Sequence, residues 1–329
     1  MSANRLRVHV QQSKGSLDVF QVTRERLMPA LEAEPALLAQ LDLSFGADRQ
    51  ALDQALREAE VLLVGNFENE NLRERAPKLR WVQSIFAGVE KLSPFIPDDV
   101  VLTNGSGVHG PKAAEYGICA LLMLNSQVPQ LMASQRKRKW EPRFTPVIAG
   151  KKVVIVGTGK LGLALAEQAH HFKMKVIGVS RSGKAVAGFD MVLPISQLES
   201  VLPQADFLVS TLPNTPEARH RLSAQQFALM PRGAGFLSIG RGQAIDEKAM
   251  AEALRSGQLG GAVLDVFEIE PLPETSPLWE MDNVVISGHC AIDDLDAYLA
   301  RAIDIFKANL HRHIAGEPLE NVVDTRLGY

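Results

Sequence analysis

The sequence predicts an α/β protein with two domains, at least one of them a doubly wound parallel sheet. Short apolar runs alternate with helical patterns from residue 6 to 104, and the alternation begins again at residue 152. Between the two blocks, residues 109–127 have the pattern of one long, mostly buried helix. Strands that alternate with helices are typical of parallel sheets covered by helices. We therefore expect two α/β domains with a boundary near residue 105.

The elements follow from the apolar runs of each block. In the first block the predicted strands are 6–10, 41–45, 61–65, 81–85 and 100–104, with a helix over 48–60. In the second block the strands are 152–157, 175–180, 206–211, 235–240, 261–266 and 284–288, and the helices are 160–172, 223–230 and 246–257. Asp246 is placed as an N-cap and Gly257 as a C-terminal stop. A final helix over 298–316 is expected to pack on the first domain.

The composition excludes several classes of protein. The chain has 329 residues with a formal net charge of -3, so nothing attracts it generally to nucleic acid or to an acidic membrane. A basic cluster at 135–143 has two interpretations, a nucleic-acid patch or a solvated helix end, and the absence of an accompanying binding fold favours the second. The N-terminus shows no apolar leader, and the apolar run 118–124 is far below the ~18 residues of a membrane span.

The two cysteines indicate a reducing compartment. Cys119 lies in the apolar run 118–124 and Cys290 follows a histidine, so neither belongs to a disulfide framework or a thiolate metal site. The histidine pairs at 170–171 and 311–313 also lack clustered cysteine or carboxylate partners, and we expect no metal. The sequence thus predicts a cytoplasmic protein without a metal centre.

A glycine-rich turn between a strand and a helix indicates a dinucleotide site. Gly157, Gly159 and Gly162 form G-x-G-x-x-G at the end of the apolar run 152–157. The first glycine allows the tight turn, the second lets a pyrophosphate approach the backbone, and the third lets helix and strand pack closely. The alternative is a glycine-rich connection without a ligand, but the strand-turn-helix setting favours a Rossmann-type site.

The end of the next strand favours NADP over NAD. An NAD site places Asp or Glu about 20 residues after the glycines, where it binds the ribose 2′-hydroxyl. Here Ser180 occupies that position, followed by Arg181, Ser182 and Lys184, which are groups suited to a 2′-phosphate. The alternative is a solvated turn. We expect NADPH as the preferred cofactor, with NAD as the second choice.

Three ionisable residues follow three strands of the second block. Arg241 comes after 235–240, Glu270 after 261–266, and His289 at the end of 284–288. The carboxyl ends of parallel strands share one edge of the sheet, which also carries the glycine loop. Arginine offers two parallel donors to a carboxylate, and a histidine beside a carboxylate suits proton donation. Taken singly each is a surface or turn residue, but together they predict an active site for an anionic substrate.

The chain resembles the D-isomer-specific 2-hydroxyacid dehydrogenase family, and within it the NADPH-linked glyoxylate/hydroxypyruvate reductases. The resemblance covers nearly the whole chain and is most specific in "IGRGQAIDEKAMAEAL" and "GAVLDVFEIEPLP". It implies a flavodoxin-like substrate domain, residues 1–105 with 296–329, beside a dinucleotide-binding domain, residues 106–295. It also implies reduction of a small 2-oxo acid by hydride transfer, and a homodimer formed through the long helix and the 136–140 region.

The resemblance assigns roles to individual residues. Arg241 would bind the substrate carboxylate and carbonyl, His289 would be the acid/base, and Glu270 rather than Glu268 would pair with it. The backbone of Ala87 and Gly88 would receive the carboxylate from the first domain. The cofactor-binding set implied by the motifs is Gly157, Thr158, Gly159, Lys160, Leu161, Gly162, Ser180, Arg181, Ser182, Lys184, Leu212, Pro213, Ile239, Gly240 and Asp265, the last facing the nicotinamide carboxamide.

Some positions depart from the family pattern and leave the substrate open. Ser238 replaces an asparagine, Gly288 a proline and Asp294 a threonine. Asp293 and Asp294 are expected near the mouth of the site, where they would repel a second negative charge on a substrate. His109 lies at a domain crossing and is a weaker candidate for the cleft. The alternatives are a phosphoglycerate- or erythronate-phosphate-type dehydrogenase, and a non-enzymatic dinucleotide-sensing corepressor on the same fold.

Overall fold

The computed structural model describes residues 5–12, 17–65, 67 and 70–326. The first four residues, part of the segment in which we expected no leader, lie outside the described residues. The chain divides into two compact units, residues 1–108 with 294–329 and residues 109–293. The predicted boundaries, 105/106 and 295/296, differ from these by a few residues. The roles assigned to the two units remain predictions.

Unit 1 is built on a parallel sheet. In the described residues its strands are β1 Leu6–Gln11, β2 Leu41–Gly46, β3 Val61–Val64, β4 Trp81–Ser84 and β5 Val101–Thr103, in the order β2-β1-β3-β4-β5. Its helices before residue 108 are α1 Arg24–Glu32, α2 Pro35–Leu38, α3 Arg49–Leu56 and α4 Leu72–Arg75. The central strands β3 and β4 are buried throughout, as a covered parallel sheet requires, whereas the edge strand β2 is only partly buried.

Unit 2 carries a larger parallel sheet. Over residues 109–293 its strands are β6 Lys152–Val156, β7 Lys175–Ser180, β8 Met191–Pro194, β9 Phe207–Ser210, β10 Ala234–Ser238, β11 Leu259–Leu264 and β12 Val284–Ile286. The order is β12-β11-β10-β9-β6-β7-β8, so the direction of winding reverses between β6 and β9. Its helices are α5 Gly110–Asn125, α6 Val128–Arg136, α7 Lys160–His171, α8 Leu198–Val201, α9 Ala224–Leu229 and α10 Glu247–Arg255.

Two apolar layers hold the sheet of unit 2. One packs α9 and α10 on one face, and the other packs α5 and α7 on the opposite face. The capping expected for α10 is observed, because Asp246 accepts a hydrogen bond from Ala249 N at 2.9 Å and Gly257 follows the helix at φ 72°. The doubly wound α/β fold predicted from the sequence is confirmed.

The chain returns to unit 1 with a final helix, α11 Tyr298–Ala315. Its buried face includes Phe306 and Leu310, which join the core formed by β1, β3 and β4. Phe306 stacks against Trp81 with ring centroids 5.4 Å apart. The first unit therefore completes its core with residues from the end of the chain.

No helix within the described ranges is both long and apolar enough to cross a bilayer. The described residues also contain no group of three or more histidine, cysteine or acidic side chains placed to hold a metal ion. Cys119 and Cys290 are free thiols, both exposed.

Candidate active site

The glycine loop lies at the carboxyl edge of the sheet in unit 2, beside the point where winding reverses. Gly157 has φ 109°, and a Cβ there would lie 2.3 Å from Thr211 Oγ1. A Cβ on Gly162 would lie 2.0 Å from the Gly157 carbonyl oxygen, so only glycine lets α7 pack this close. Gly159 precedes α7, and a Cβ there would meet no atom within 4 Å. The loop thus offers a helix N-terminus facing open space, which suits a pyrophosphate.

The loop after β7 contains hydroxyl and cationic side chains where an NAD site has an acid. Ser180 Oγ accepts a hydrogen bond from Gly183 N at 3.1 Å, and Ser182 Oγ accepts one from Lys184 N at 3.3 Å. These bonds fold the segment into a compact turn. Arg181, Ser182 and Lys184 are exposed on it. The turn can therefore present cations to an anionic group.

Arg241 follows β10 and lies between two glycines, at positions where neighbouring loops leave no room for a side chain. A Cβ on Gly240 would lie 2.5 Å from the Leu212 carbonyl oxygen, and a Cβ on Gly242 would lie 2.0 Å from the Phe267 carbonyl group. The half-buried Arg241 side chain donates through Nη1 to the Gly240 carbonyl at 3.1 Å. Glycine at both positions thus lets the chain pass between the loops that contain Leu212 and Phe267, with the guanidinium at the sheet edge.

His289 and Glu270 form a hydrogen-bonded pair. His289 Nδ1 lies 2.6 Å from Glu270 Oε2, and Glu270 Oε1 accepts from Phe267 N at 2.9 Å. Because Nδ1 is engaged, Nε2 is the ring nitrogen left to exchange a proton with a ligand. The structure therefore places together the histidine and the glutamate that the sequence singled out.

Glu268, the alternative partner, faces elsewhere. Its Oε1 lies 2.7 Å from His220 Nε2 and 3.2 Å from Arg219 Nη2. Its carbonyl oxygen accepts from Gln243 Nε2 at 3.1 Å. Two glutamates two residues apart are thus paired with two different histidines.

Asp265 is fully buried behind His289 and has one satisfied and one orphaned oxygen. Oδ1 accepts from Ser287 Oγ at 2.8 Å and from Cys290 N and Ala291 N, each at 3.0 Å. The Asp265 carbonyl accepts from His289 N at 2.6 Å. Asp265 Oδ2 has no hydrogen-bond partner among the described residues. A buried acceptor without a partner is costly, and a ligand amide would satisfy it.

The other predicted contacts lie on loops at the same edge of unit 2. Thr158, Lys160 and Leu161 belong to the glycine loop and the first turn of α7, Leu212 and Pro213 follow β9, and Ile239 and Gly240 follow β10. Ala87 and Gly88 belong to unit 1, in the loop after β4, where the Ala87 carbonyl accepts from Asn104 Nδ2 at 2.8 Å.

The two aspartates expected at the mouth of the site each have a cationic or ionisable partner. Asp294 Oδ2 lies 2.7 Å from Arg301 Nη2, and this bond holds the pKa of Asp294 below its usual range. Asp293 Oδ1 lies 3.3 Å from His109 Nδ1. Because the Arg301 guanidinium offsets the charge of Asp294, the predicted discrimination against a second negative charge has a weaker basis than the sequence indicated.

Comparison with known proteins shows the family. Residues 118–291 match the model described as D-isomer specific 2-hydroxyacid dehydrogenase, NAD binding domain. The chain is 33% identical over 274 residues to glyoxylate/hydroxypyruvate reductase B of Escherichia fergusonii, covering 76% of this chain and 85% of that protein. It is 30% identical over 294 residues to a D-3-phosphoglycerate dehydrogenase of Methanocaldococcus jannaschii, covering 87% of this chain but only 56% of that protein.

A solved structure agrees over the whole chain. The NADPH-dependent glyoxylate/hydroxypyruvate reductase from Sinorhizobium meliloti, in complex with NADP and sulfate, superposes with a TM-score of 0.80 at 30% identity, covering 99% of this chain and 100% of that chain. The chain therefore belongs to the D-isomer-specific 2-hydroxyacid dehydrogenase family. The predicted enzyme class, an NAD(P)-dependent D-2-hydroxyacid dehydrogenase, is confirmed.

Proposed function

We propose that this protein reduces a small 2-oxo acid of the glyoxylate or hydroxypyruvate type to the 2-hydroxy acid, with NADPH as the preferred reductant. The observation that carries the proposal is the 2.6 Å pair of His289 and Glu270 at the sheet edge that also bears the glycine loop and Arg241. A histidine oriented by a carboxylate can act as a general acid, and an arginine at the same sheet edge can bind a carboxylate.

Each residue has a distinct role in this proposal. A bound nicotinamide cofactor supplies the hydride for the keto carbon. Glu270 holds the imidazole through Nδ1, so His289 delivers a proton to the substrate oxygen from Nε2. Arg241 orients the substrate carboxylate and carbonyl. General acid catalysis of this kind is worth about 100- to 10,000-fold in rate.

The chain's own residues fit a nicotinamide dinucleotide. The open helix N-terminus at Gly159 suits the pyrophosphate, and the orphaned Asp265 Oδ2 suits the carboxamide N–H. The preference for NADPH rests on Arg181 and Lys184 in the turn after β7. It is supported by the Sinorhizobium meliloti relative, whose structure holds NADP.

The proposed substrate class rests on what similar proteins are named. The Escherichia fergusonii and Sinorhizobium meliloti proteins are named glyoxylate/hydroxypyruvate reductases. The rival is a phosphorylated substrate, as in the Methanocaldococcus jannaschii phosphoglycerate dehydrogenase, of which this chain spans just over half. The second rival is a dinucleotide-sensing corepressor, which would bind NADPH without turning over a 2-oxo acid.

One experiment separates these candidates. NADPH and NADH oxidation would be followed by absorbance with glyoxylate, hydroxypyruvate, pyruvate and a phosphorylated 2-oxo acid, and NADPH binding would be measured separately by fluorescence titration. We expect the highest kcat/KM with glyoxylate or hydroxypyruvate and NADPH. Preference for the phosphorylated acid would favour the first rival, and NADPH binding without reduction of any acid would favour the second.

We also infer that the protein acts as a homodimer in the cytoplasm. In unit 2, Trp140, Phe144 and Val147 are 96%, 94% and 77% exposed on the segment after α6. Large apolar side chains exposed together on one short segment indicate an interaction surface, and a second copy of the chain is the occupant proposed here. Sedimentation should show a dimer for the parent and a monomer for Trp140→Ala/Phe144→Ala. A parent that sediments as a monomer at micromolar concentration would contradict this inference.

The inference that the protein acts in the cytoplasm rests on the two free thiols.

A further inference from the structure

A chain of hydrogen bonds connects α5 to the loop that carries His289. The Tyr116 hydroxyl donates to Ser287 Oγ at 3.0 Å, and Ser287 Oγ donates to Asp265 Oδ1 at 2.8 Å. Tyr116 lies on α5, Ser287 directly follows β12, and Asp265 directly follows β11. All of these residues belong to unit 2. We call this chain of three side chains the tyrosine relay.

The relay ends on the carboxylate that holds the His289 loop. Asp265 Oδ1 also accepts from the backbone amides of Cys290 and Ala291, and its carbonyl accepts from His289 N. His289 has φ 58°, a conformation that a residue other than glycine keeps only where its surroundings hold it. The rotation of the Asp265 carboxylate therefore affects the backbone around His289. It also sets the direction of Asp265 Oδ2, the oxygen without a partner.

The chemistry of Tyr116 suits a fixed donor at the start of the relay. Burial raises the pKa of Tyr116 above its usual value, so the hydroxyl keeps its proton at neutral pH. Because a phenol has a rigid ring and a long reach, it can fix the rotation of Ser287 from a neighbouring helix. The simpler interpretation is that the bond from Tyr116 to Ser287 only stabilises the fold. An experiment must separate this structural role from a role in positioning His289.

We propose that Tyr116 is a positioning residue that acts through Ser287 and Asp265 to hold His289 in place and to aim Asp265 Oδ2 at the ligand amide. The proposal rests on the roles given above to His289 and Asp265. Among the described residues, the Tyr116 hydroxyl bonds to Ser287 and not to His289. Its removal should therefore reduce turnover without removing a substrate contact.

The test uses Tyr116→Phe, Ser287→Ala and the double variant in the full-length protein. We expect each single variant to lower kcat about 3- to 10-fold, the usual effect of losing one hydrogen bond, while KM for the 2-oxo acid changes less than about 2-fold. Because both residues act through one carboxylate, the double variant should lose little more than either single variant. Additive losses would overturn the relay.

Ser223→Ala is the matched control. Ser223 Oγ donates to Gln226 Oε1 at 2.8 Å in the capping box of α9, so the same substitution removes a bond of equal length in the same unit. Its loss should lower the midpoint of thermal unfolding without changing kcat. If all three single variants lower kcat in proportion to stability, Tyr116 has only a structural role.

A second readout does not depend on activity. In the protein without cofactor, amide hydrogen exchange of the segment with Cys290 and Ala291 should become faster by about the same 3- to 10-fold in Tyr116→Phe and Ser287→Ala, but not in Ser223→Ala. NADPH affinity should fall in the first two variants, since Asp265 Oδ2 is no longer aimed. Unchanged exchange at this loop would overturn the proposal, whereas a parent that reduces no 2-oxo acid would refute the proposed function and leave this readout valid.

Discussion

Replacing Glu270 by glutamine tests the central pair of the site. Glu270 accepts two hydrogen bonds, from His289 Nδ1 at 2.6 Å and from Phe267 N at 2.9 Å. A glutamine of the same shape has only one acceptor oxygen, so its amide group must face one of the two donors. Either the bond from Phe267 is lost, or Nδ1 must become an acceptor and the imidazole is held in the wrong protonation state.

The magnitude follows from the exposure of the pair. A hydrogen bond to a charged group is worth about 1.5 to 3 kcal/mol, and less where solvent screens it. The His289 and Glu270 side chains are 46% and 34% exposed, so the lower part of that range applies. We expect a loss of about 1.5 to 2.3 kcal/mol, or roughly 10- to 50-fold in kcat/KM.

Glu268→Gln provides a close control for this substitution. Glu268 also pairs with a histidine, His220 at 2.7 Å, and the His220 and Glu268 side chains are 40% and 27% exposed. Steady-state NADPH oxidation with the best 2-oxo acid should show kcat/KM within about 2-fold of the parent for this variant, because His220 has no part in the proposed proton transfer. Equal activity of the two variants would show that Glu270 does not orient the acid/base.

Three further outcomes are expected. Arg241→Lys keeps the charge but loses the planar guanidinium, so kcat/KM for the 2-oxo acid should fall about 10- to 150-fold. NADPH affinity, measured by fluorescence titration, should change only a few-fold. Rates like those of the parent would show that Arg241 does not bind the substrate carboxylate. Arg181→Ala should raise KM for NADPH about 10-fold or more and leave KM for NADH unchanged, and equal effects would exclude the 2′-phosphate assignment. Glu247→Gln addresses stability: burial raises the pKa of Glu247, so the folded state holds its proton more tightly than the unfolded state and loses stability as pH rises past the ordinary carboxyl range. Calorimetry should therefore show that the variant unfolds about 1–3 °C above the parent at pH 7. Near pH 3 the two proteins should unfold at the same temperature. A difference that does not depend on pH would contradict the reasoning.

The parts of the fold that the sequence predicted have strong local signals. The glycine loop and the strand ends that carry Arg241 and His289 follow continuous apolar runs, which parallel sheets impose on their buried strands. Strand β8, Met191–Pro194, was not predicted, because it is only partly buried and ends in proline. Helix α1, Arg24–Glu32, was also missed, since Pro29 within it interrupts the pattern of a helix.

Interactions between distant residues could not be predicted. The bond from Tyr116 to Ser287 joins residues 171 positions apart, and no spacing rule connects them. The partners of Asp293 and Asp294 were missed for a related reason, because their acidic character was visible in the sequence but His109 and Arg301 were not assigned to them. The choice of Glu270 over Glu268 depended on the motif alone, since both residues follow the same strand.

The glycine that replaces the family's proline before His289 is explained by the backbone. Gly288 has φ 67° and His289 has φ 58°, so two consecutive residues lie in the left-handed region. Proline is restricted to φ near −65° and cannot adopt this conformation, whereas glycine adopts it without steric cost. The strain that remains falls on His289, and the bond from its own amide to the Asp265 carbonyl at 2.6 Å helps to offset it. A loop built in this way needs Asp265 as a fixed support, because the carboxylate holds the residues on the far side of His289 while the orphaned oxygen remains available to a ligand. Gly288, which departs from the family pattern, therefore belongs to the same group of contacts that positions His289.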